Sequence, residues 1–246
     1  MKNSTHLFKL VFIAILIITS NSCKEEDVIT LNITEKTLNY DDEFQIEAGS
    51  NSLITYSVQN EYHASVSETG LVKAQYVGVT NIILENAEDR KTVKITVEPR
   101  YNLYPEPNVY FGESKSSIIS KFGWDYVESE SAIAYENYAT SAPIIMFTFD
   151  DFDKLSGYAI MVNTLYSSTL ADFLMERYLV AGIDNDVYYF INGLSIASAT
   201  TAIMLELYNV SYWMVLYVPN TASNKILDIK KCSQKFETSK LFNKLK

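Results

Sequence analysis

At 246 residues the chain has room for one or two domains. With 48% apolar and 20% charged residues it has the makings of a packed core and is neither disordered nor low in complexity. The 30 acidic against 20 basic residues give a net charge of -10, the wrong sign for a nucleic-acid footprint, and two Cys and two His exclude zinc clusters, disulfide frameworks and most histidine-based catalysis.

Residues 1–22 read as an address rather than as part of the fold. Lys2 and Lys9 form a basic start, and Leu10 to Ile18 is an unbroken apolar run of nine residues. That is signal-peptide length, well short of the ~20 residues needed to span a bilayer. Thr19-Ser20-Asn21-Ser22 then leads into Cys23. A small residue before a Cys at the end of such a run resembles a bacterial lipobox, although Ser20 stands where that family carries an apolar residue. The resemblance implies a diacylglyceryl group on the Cys23 thiol and cleavage that makes Cys23 the first mature residue. The other reading is an ordinary signal peptide, or an uncleaved anchor, with an incidental Cys. The acidic stretch after it, Lys24-Glu25-Glu26-Asp27, resembles the export signal of Bacteroidota-type surface lipoproteins. It implies an outer-membrane protein facing the cell exterior, with residues 23–27 as an acidic tether. Without residues 1–22 the chain carries 18 basic and 30 acidic groups, a net of -12. Such a surface repels anionic lipid and leaves the lipid anchor as the membrane contact.

Residues 28–98 read as short strands. Phe44, Ile46 and Ala48 alternate with polar residues, as do Tyr56 and Val58, Ile82 and Leu84, and Val93, Ile95 and Val97. This period of two buries one face of each strand, and turns at Asp41-Asp42, Gly49-Ser50-Asn51, Gly70 and Gly78 break the runs, a pattern that predicts an all-β sandwich. Tyr56-Ser57-Val58-Gln59-Asn60, Ala64-Ser65-Val66-Ser67, Gly70-Leu71-Val72-Lys73-Ala74 and Gly78-Val79-Thr80-Asn81-Ile82 together resemble the bacterial Ig-like domain, group 2. Tyr56 stands where that family usually has Trp. The resemblance implies a spacer or adhesive module without an active site of its own, here expected to serve as a stalk.

Residues 99–108, with Pro105-Glu106-Pro107, read as a linker. Beyond it the composition shifts, and 14 of the 18 Tyr and both Trp follow residue 100. Ser114 is placed to cap a helix bearing Ile118, Ile119 and Phe122, with Gly123 past its end. Strand-like runs follow at 132–138, 144–149 and 155–163. Thr169, with Asp172, is placed to cap a second helix bearing Leu170, Phe173, Leu174 and Tyr178, and further runs follow at 187–191, 200–207 and 212–218. The two halves superpose in pattern at an offset of 55 residues. Residues 109–220 are therefore expected to form an α+β domain, a tandem helix–β–β–β repeat with antiparallel sheet and helices on one face. Residues 221–246 form a basic tail, with seven Lys against Asp228 and Glu237 from Lys225 onward, and an unpartnered Cys232.

Candidate chemistry is sparse. Asp150, Asp151 and Asp153 lack the remaining ligands of a Ca²⁺ loop and suit a hairpin turn. Glu128, Glu130, Glu136 and Glu206 are available to a glycosidase, but nothing in the sequence pairs them. No nucleophile elbow, phosphate loop or dinucleotide fingerprint is present, and His63 reads as a surface-loop residue. No cofactor and no catalytic or metal-binding residue is assigned. The aromatic residues are the remaining lead. Trp124, Tyr158, Tyr212 and Trp213 are the candidate ligand contacts, against the tendency of such residues to fill cores. The sequence thus points to non-enzymatic binding at the cell surface, of a glycan or of an envelope protein; the alternative is an envelope structural or assembly factor that docks a protein partner. An exposed aromatic row would favour a glycan, and an exposed aliphatic patch or an open strand edge a protein partner. Two carboxylates converging in a cleft would revive an unrecognised enzyme.

Overall fold

A computed structural model describes residues 26–220. The signal segment, Cys23, and the tail 221–246 with Cys232 lie outside the described residues. The chain is mostly β, built from several antiparallel sheets.

The N-terminal unit holds β1 (Thr30–Leu31), β2 (Glu35–Asn39), β3 (Glu43–Gln45), β4 (Ala48–Gly49), β5 (Thr55–Val58), β6 (Ala64–Val66), β7 (Leu71–Ala74), β8 (Gly78–Glu85) and β9 (Arg90–Glu98). One sheet has the order β2-β9-β8-β5 and a second the order β3-β7-β6, while β1 pairs only with β4. The β2–β9 pair is parallel and the others are antiparallel. The alternation read from the sequence is the burial pattern of β8 and β9. Ile82, Leu84, Val93 and Ile95 point inward and meet Ala64, Val72 and Ala74 of the other sheet. Gly70 and Gly78 both have positive φ, +83° and +147°, which a side chain rarely tolerates. A Cβ on Gly70 would lie 2.9 Å from the Tyr56 ring, so this glycine lets the aromatic side chain close the sandwich edge.

The second unit is one eight-stranded antiparallel sheet with two short helices. After α1 (Lys115–Phe122) come β10 (Val127–Ser129), β11 (Ala132–Glu136), β12 (Ile144–Phe149) and β13 (Leu155–Asn163). After a 3₁₀ turn (Thr164–Tyr166) and α2 (Ser167–Met175) come β14 (Leu179–Asp184), β15 (Val187–Ile191), β16 (Thr201–Leu207) and β17 (Tyr212–Pro219). The strand order β10-β11-β12-β13-β17-β16-β15-β14 is palindromic. Each half is a helix followed by a four-strand meander, and the halves join through β13 and β17. Ile160 pairs with Val215, 55 positions further on, near the middle of that seam. The same offset carries buried Ile118 and Ile119 of α1 onto buried Phe173 and Leu174 of α2. The loop 192–200 is longer than its counterpart 137–143, so β16 and β17 match β12 and β13 at a slightly larger spacing.

Three expectations need correction. The repeat carries four strands per helix, not three. β10 is only three residues long, and β14 contains a register shift between Val180 and Gly182 and begins at a point where the apolar pattern still reads as helix. Thr169 caps nothing. α2 begins at Ser167 behind Tyr166, which makes no side-chain cap, and Asn163 instead caps the preceding 3₁₀ turn through Leu165 N–H. The segment read as a linker is not free either, because Leu103 and Tyr104 are buried against the sheet and both helices.

Both faces of the long strands are buried, which explains their continuous apolar runs. One face carries the helices and the large residues, with Phe147, Phe173, Ile160 and Tyr217 at its centre. The other is lined by smaller or more pliable side chains, Ala134, Ala159, Ala202, Met146, Met161, Met204 and Met214.

Candidate functional site

The two units meet at the C-terminus of α2. Val77 N–H donates to the Glu176 carbonyl at 2.9 Å. Tyr62, stacked on Tyr76 with centroids 4.5 Å apart, sends its hydroxyl across the junction to the carbonyls of Arg177 (2.6 Å) and Ile191 (3.2 Å). Burial raises the Tyr62 pKa well above the ordinary phenol value, which keeps this hydroxyl a donor. Glu176 is 2% exposed, and its carboxylate accepts from the backbone N–H groups of Arg100 (2.9 Å) and Tyr101 (3.1 Å) and from Arg177 Nη1 (2.5 Å). The chain leaving the sandwich is therefore fastened to the second unit within three residues of β9. Arg100 also reaches back to Asp42 at 2.6 Å. Hydrogen bonds from Asn39, with the Arg100 charge beside it, hold the Asp42 carboxyl below its usual range.

Beside this junction lies a cleft of about 550 Å³, within the range of small-molecule sites. The sandwich contributes Gln59, Asn60, Glu61, Tyr62, His63 and Val77. The second unit contributes Glu106, Arg177, Tyr178 and the loop residues Asn192, Gly193, Leu194 and Ser198. The loop is held shut by Asn192, whose Oδ1 accepts from the N–H groups of Thr200 and Thr201. Gly193 lets it close, because a Cβ there would stand 2.8 Å from the Ala199 backbone. On the sandwich side, Asn60 Oδ1 accepts from Tyr62 N–H (3.0 Å) and Gln59 Oε1 from Asn81 Nδ2 (2.8 Å). His63 Nδ1 faces the Tyr76 carbonyl at 3.1 Å, so in the neutral ring Nδ1 carries the proton and Nε2 is an acceptor. Arg177, 8% exposed, lies over the Phe173 ring at 3.8 Å. Its Nη1 serves Glu176 and the Phe173 carbonyl, while Nε is buried with no hydrogen bond and has Glu106 Oε2 at 3.7 Å. Tyr178 donates its hydroxyl to the other Glu106 oxygen. Burial, with the Glu106 charge next, raises the Tyr178 pKa and keeps that proton in place.

The four aromatic candidates do not converge on this cleft or on one another. Trp124 follows α1 and is 81% exposed. Tyr158 is stacked on Tyr217 at 4.5 Å within the helix-covered core. Trp213 packs against that same core and donates from Nε1 to Ser167 Oγ, whereas Tyr212 packs on the opposite face. Trp213 pairs with Val162, four residues along β13 from Tyr158, about 13 Å away. No exposed aromatic row forms from them. The acidic candidates also disperse. Asp150 Oδ1 closes its own turn through Phe152 and Lys154 N–H, and Glu128 pairs with Lys115. Among the described residues no group of three or more His, Cys, Asp or Glu is placed to hold a metal ion. His63 is half-buried at the junction rather than on a free loop. The cleft itself was illegible in the sequence, because its lining comes from separate stretches of chain scattered between Gln59 and Ser198. The one local signal was Gly78 beside His63: a Cβ on Gly78 would stand 2.2 Å from His63 Cε1.

No family model matches the chain, and no curated protein matches it. Among solved structures, it is similar to the C-terminal domain of TagH, at 14% identity and a TM-score of 0.27, over 68% of this chain and 97% of that one. It is similar to human protocadherin-24 EC1-2, at 11% identity and a TM-score of 0.26, over 79% and 96% of the two chains. It is also similar to a Bacteroides ovatus protein, SGBP-B of a mixed-linkage glucan utilization locus, solved with a mixed-linkage heptasaccharide. Identity there is 8% and the TM-score 0.27, over 80% of this chain and 62% of that one. Likeness at this level carries no argument about ligand or activity.

Proposed function

We propose that this is a lipid-anchored, non-enzymatic binding protein of the outer cell surface, in which an Ig-like sandwich presents an α+β head and the ligand, a glycan, sits in the cleft between them. The observation that carries the reading is the cleft, a recess of small-molecule size walled by exposed amides and carboxylates. The anchor would lie at the other pole of the sandwich. Asp27 is clamped there by Ser50 Oγ, Asn51 N–H and Asn86 Nδ2, beside the β8–β9 turn. The four peptide units between Cys23 and Asp27 span at most ~14 Å. β8 runs from Gly78 at the junction to Glu85 near that clamp, a rise of about 25 Å. An acyl chain on Cys23 would thus hold one pole near the membrane and lift the cleft off it.

The test combines address and ligand. Metabolic labelling with palmitate should mark the wild-type chain and not Cys23→Ser. Protease applied to intact cells should remove the head. Thermal-shift screening of the full chain against soluble polysaccharides should give at least one stabilising ligand. Unlabelled protein, or a head protected on intact cells, would remove the address. A screen without a hit would remove the glycan.

A second reading, docking of an envelope protein, is favoured by a different observation. Leu165 and Val210 are 88% and 92% exposed on adjoining turns joined by Thr164 N–H to Ser211 O. These turns lie at the end of the sheet remote from the sandwich. An exposed aliphatic pair there suits a protein surface rather than a sugar.

A further inference from the structure

We propose that the cleft takes an uncharged, hydroxyl-rich chain, a neutral oligosaccharide, and selects by charge against polyanionic glycans. This rests on the ligand-binding reading above and adds the ligand's chemical class.

Two groups are left with donors. Asn60 and Gln59 are exposed, and each has its side-chain oxygen engaged within the sandwich, which leaves Nδ2 and Nε2 for a ligand. Arg177 Nε–H, 3.7 Å from Glu106 Oε2, is buried out of a ligand's reach. Three groups are left with acceptors. Glu61 is exposed, Glu106 has lone pairs beyond the one used by Tyr178, and His63 offers Nε2 whenever its ring is neutral.

Each ligand class meets this set differently. A carboxylate or sulfate would satisfy the donors but bring its charge against Glu61 and Glu106, on a chain whose residues 23–224 carry 11 basic against 28 acidic groups. The one cation in the cleft, Arg177, is already neutralised by Glu176 at 2.5 Å. A polycation would be drawn to the acidic body whatever the cleft contains, so its retention would not report on the cleft. A hydroxyl is donor and acceptor at once and can serve both sets without a net charge. A neutral ligand also has no long-range attraction to this acidic body, so its retention should depend weakly on salt.

The test uses affinity electrophoresis of the full chain in detergent through gels containing soluble starch, galactomannan or xylan (neutral) or polygalacturonate (anionic). Three variants exchange hydrogen-bonding sense with little change of shape: Asn60→Asp and Gln59→Glu turn a donor into an acceptor, and Glu106→Gln does the reverse. Asn60→Asp keeps the oxygen that accepts from Tyr62 N–H, so the loop should remain folded, with an unchanged thermal midpoint as the control. The expected result is retardation by at least one neutral polymer, insensitive to salt. Asn60→Asp and Glu106→Gln should each weaken it by roughly tenfold or more. Retention by polygalacturonate equal to or stronger than by the neutral set would overturn the charge assignment while leaving a glycan-binding protein. Neutral binding indifferent to all three variants would move the site away from the cleft. No retention by any polymer would overturn the glycan reading together with this one.

Discussion

Gly78 shows how much one residue holds in place at the junction. Its φ of +147° is open to glycine and strained for any other residue, and the space a Cβ would fill is occupied by the His63 ring. That ring is in turn fixed by the Tyr76 carbonyl and by an edge contact to Tyr62, which carries the hydrogen bonds into the second unit. Gly78→Ala should therefore cost ~2–3 kcal/mol in urea denaturation and disturb the cleft as well as the sandwich. A midpoint within error of wild type would mean that the His63 ring moves aside freely. The tyrosines predict a pH dependence. Burial, with Tyr126 beside one and Glu106 beside the other, pushes the Tyr135 and Tyr138 hydroxyls up to about 12 from 10.0. The folded state thus favours their neutral form. Their contribution is complete below pH 10 and is lost as pH rises toward 12, because the unfolded chain ionises first. The urea midpoint should be flat from neutrality to about pH 9 and fall steeply above 10, with phenolate absorbance appearing in step with unfolding.

At the level of elements, the two helices separate what a local pattern can reveal from what it cannot. Ser114 was legible as a cap because its neighbours repeat the helical spacing directly behind it, and its side chain does accept from Ser117 N–H. Thr169 has the same chemistry and an acidic residue in register, yet it lies inside α2. The 3₁₀ turn, capped by Asn163 and tied to Ser211, starts the helical path two residues earlier. Ser114→Ala should accordingly cost about 0.5–2 kcal/mol and Thr169→Ala close to nothing, measured side by side by thermal denaturation. Equal costs would mean that α2 begins later than Ser167. The same contrast runs through the strands. Period-two alternation marked β8 and β9, since one face of each is wet, and continuous apolar runs marked β12, β13 and β17, buried on both faces. β10 and β14 carry neither signal, being a three-residue edge and a strand broken by a register shift. The repeat could be read from the sequence because its apolar spacing survives at 55 residues. The pairing of its halves through β13 and β17 is a tertiary choice with no local trace. The cleft is a further step removed, since its residues answer to partners across the junction and follow no period of their own.

For the whole molecule, the decisive question is whether sandwich and sheet behave as one body. The junction argues that they do. Glu176 is a buried carboxylate whose partners come from the chain leaving the sandwich and from Arg177, and Tyr62 and Val77 add backbone bonds across the same few residues. Removing the carboxylate would leave buried Arg177 with only the longer Glu106 contact at 3.7 Å and two N–H groups without an acceptor, a loss of ~3 kcal/mol concentrated at the junction. The two tryptophans provide a selective probe, since Trp124 and Trp213 both lie in the second unit while far-ultraviolet dichroism reports on all strands. In urea the wild-type chain should show coincident fluorescence and dichroism transitions. In Glu176→Ala the two should separate, because each unit retains its own core and only their coupling is lost. Separate transitions already in the wild type would show the junction to be too weak to hold the cleft walls in register, and a ligand would then have to assemble the site as it binds. Coincident transitions in both proteins would place the coupling in Tyr62 and the backbone bonds rather than in the buried charge.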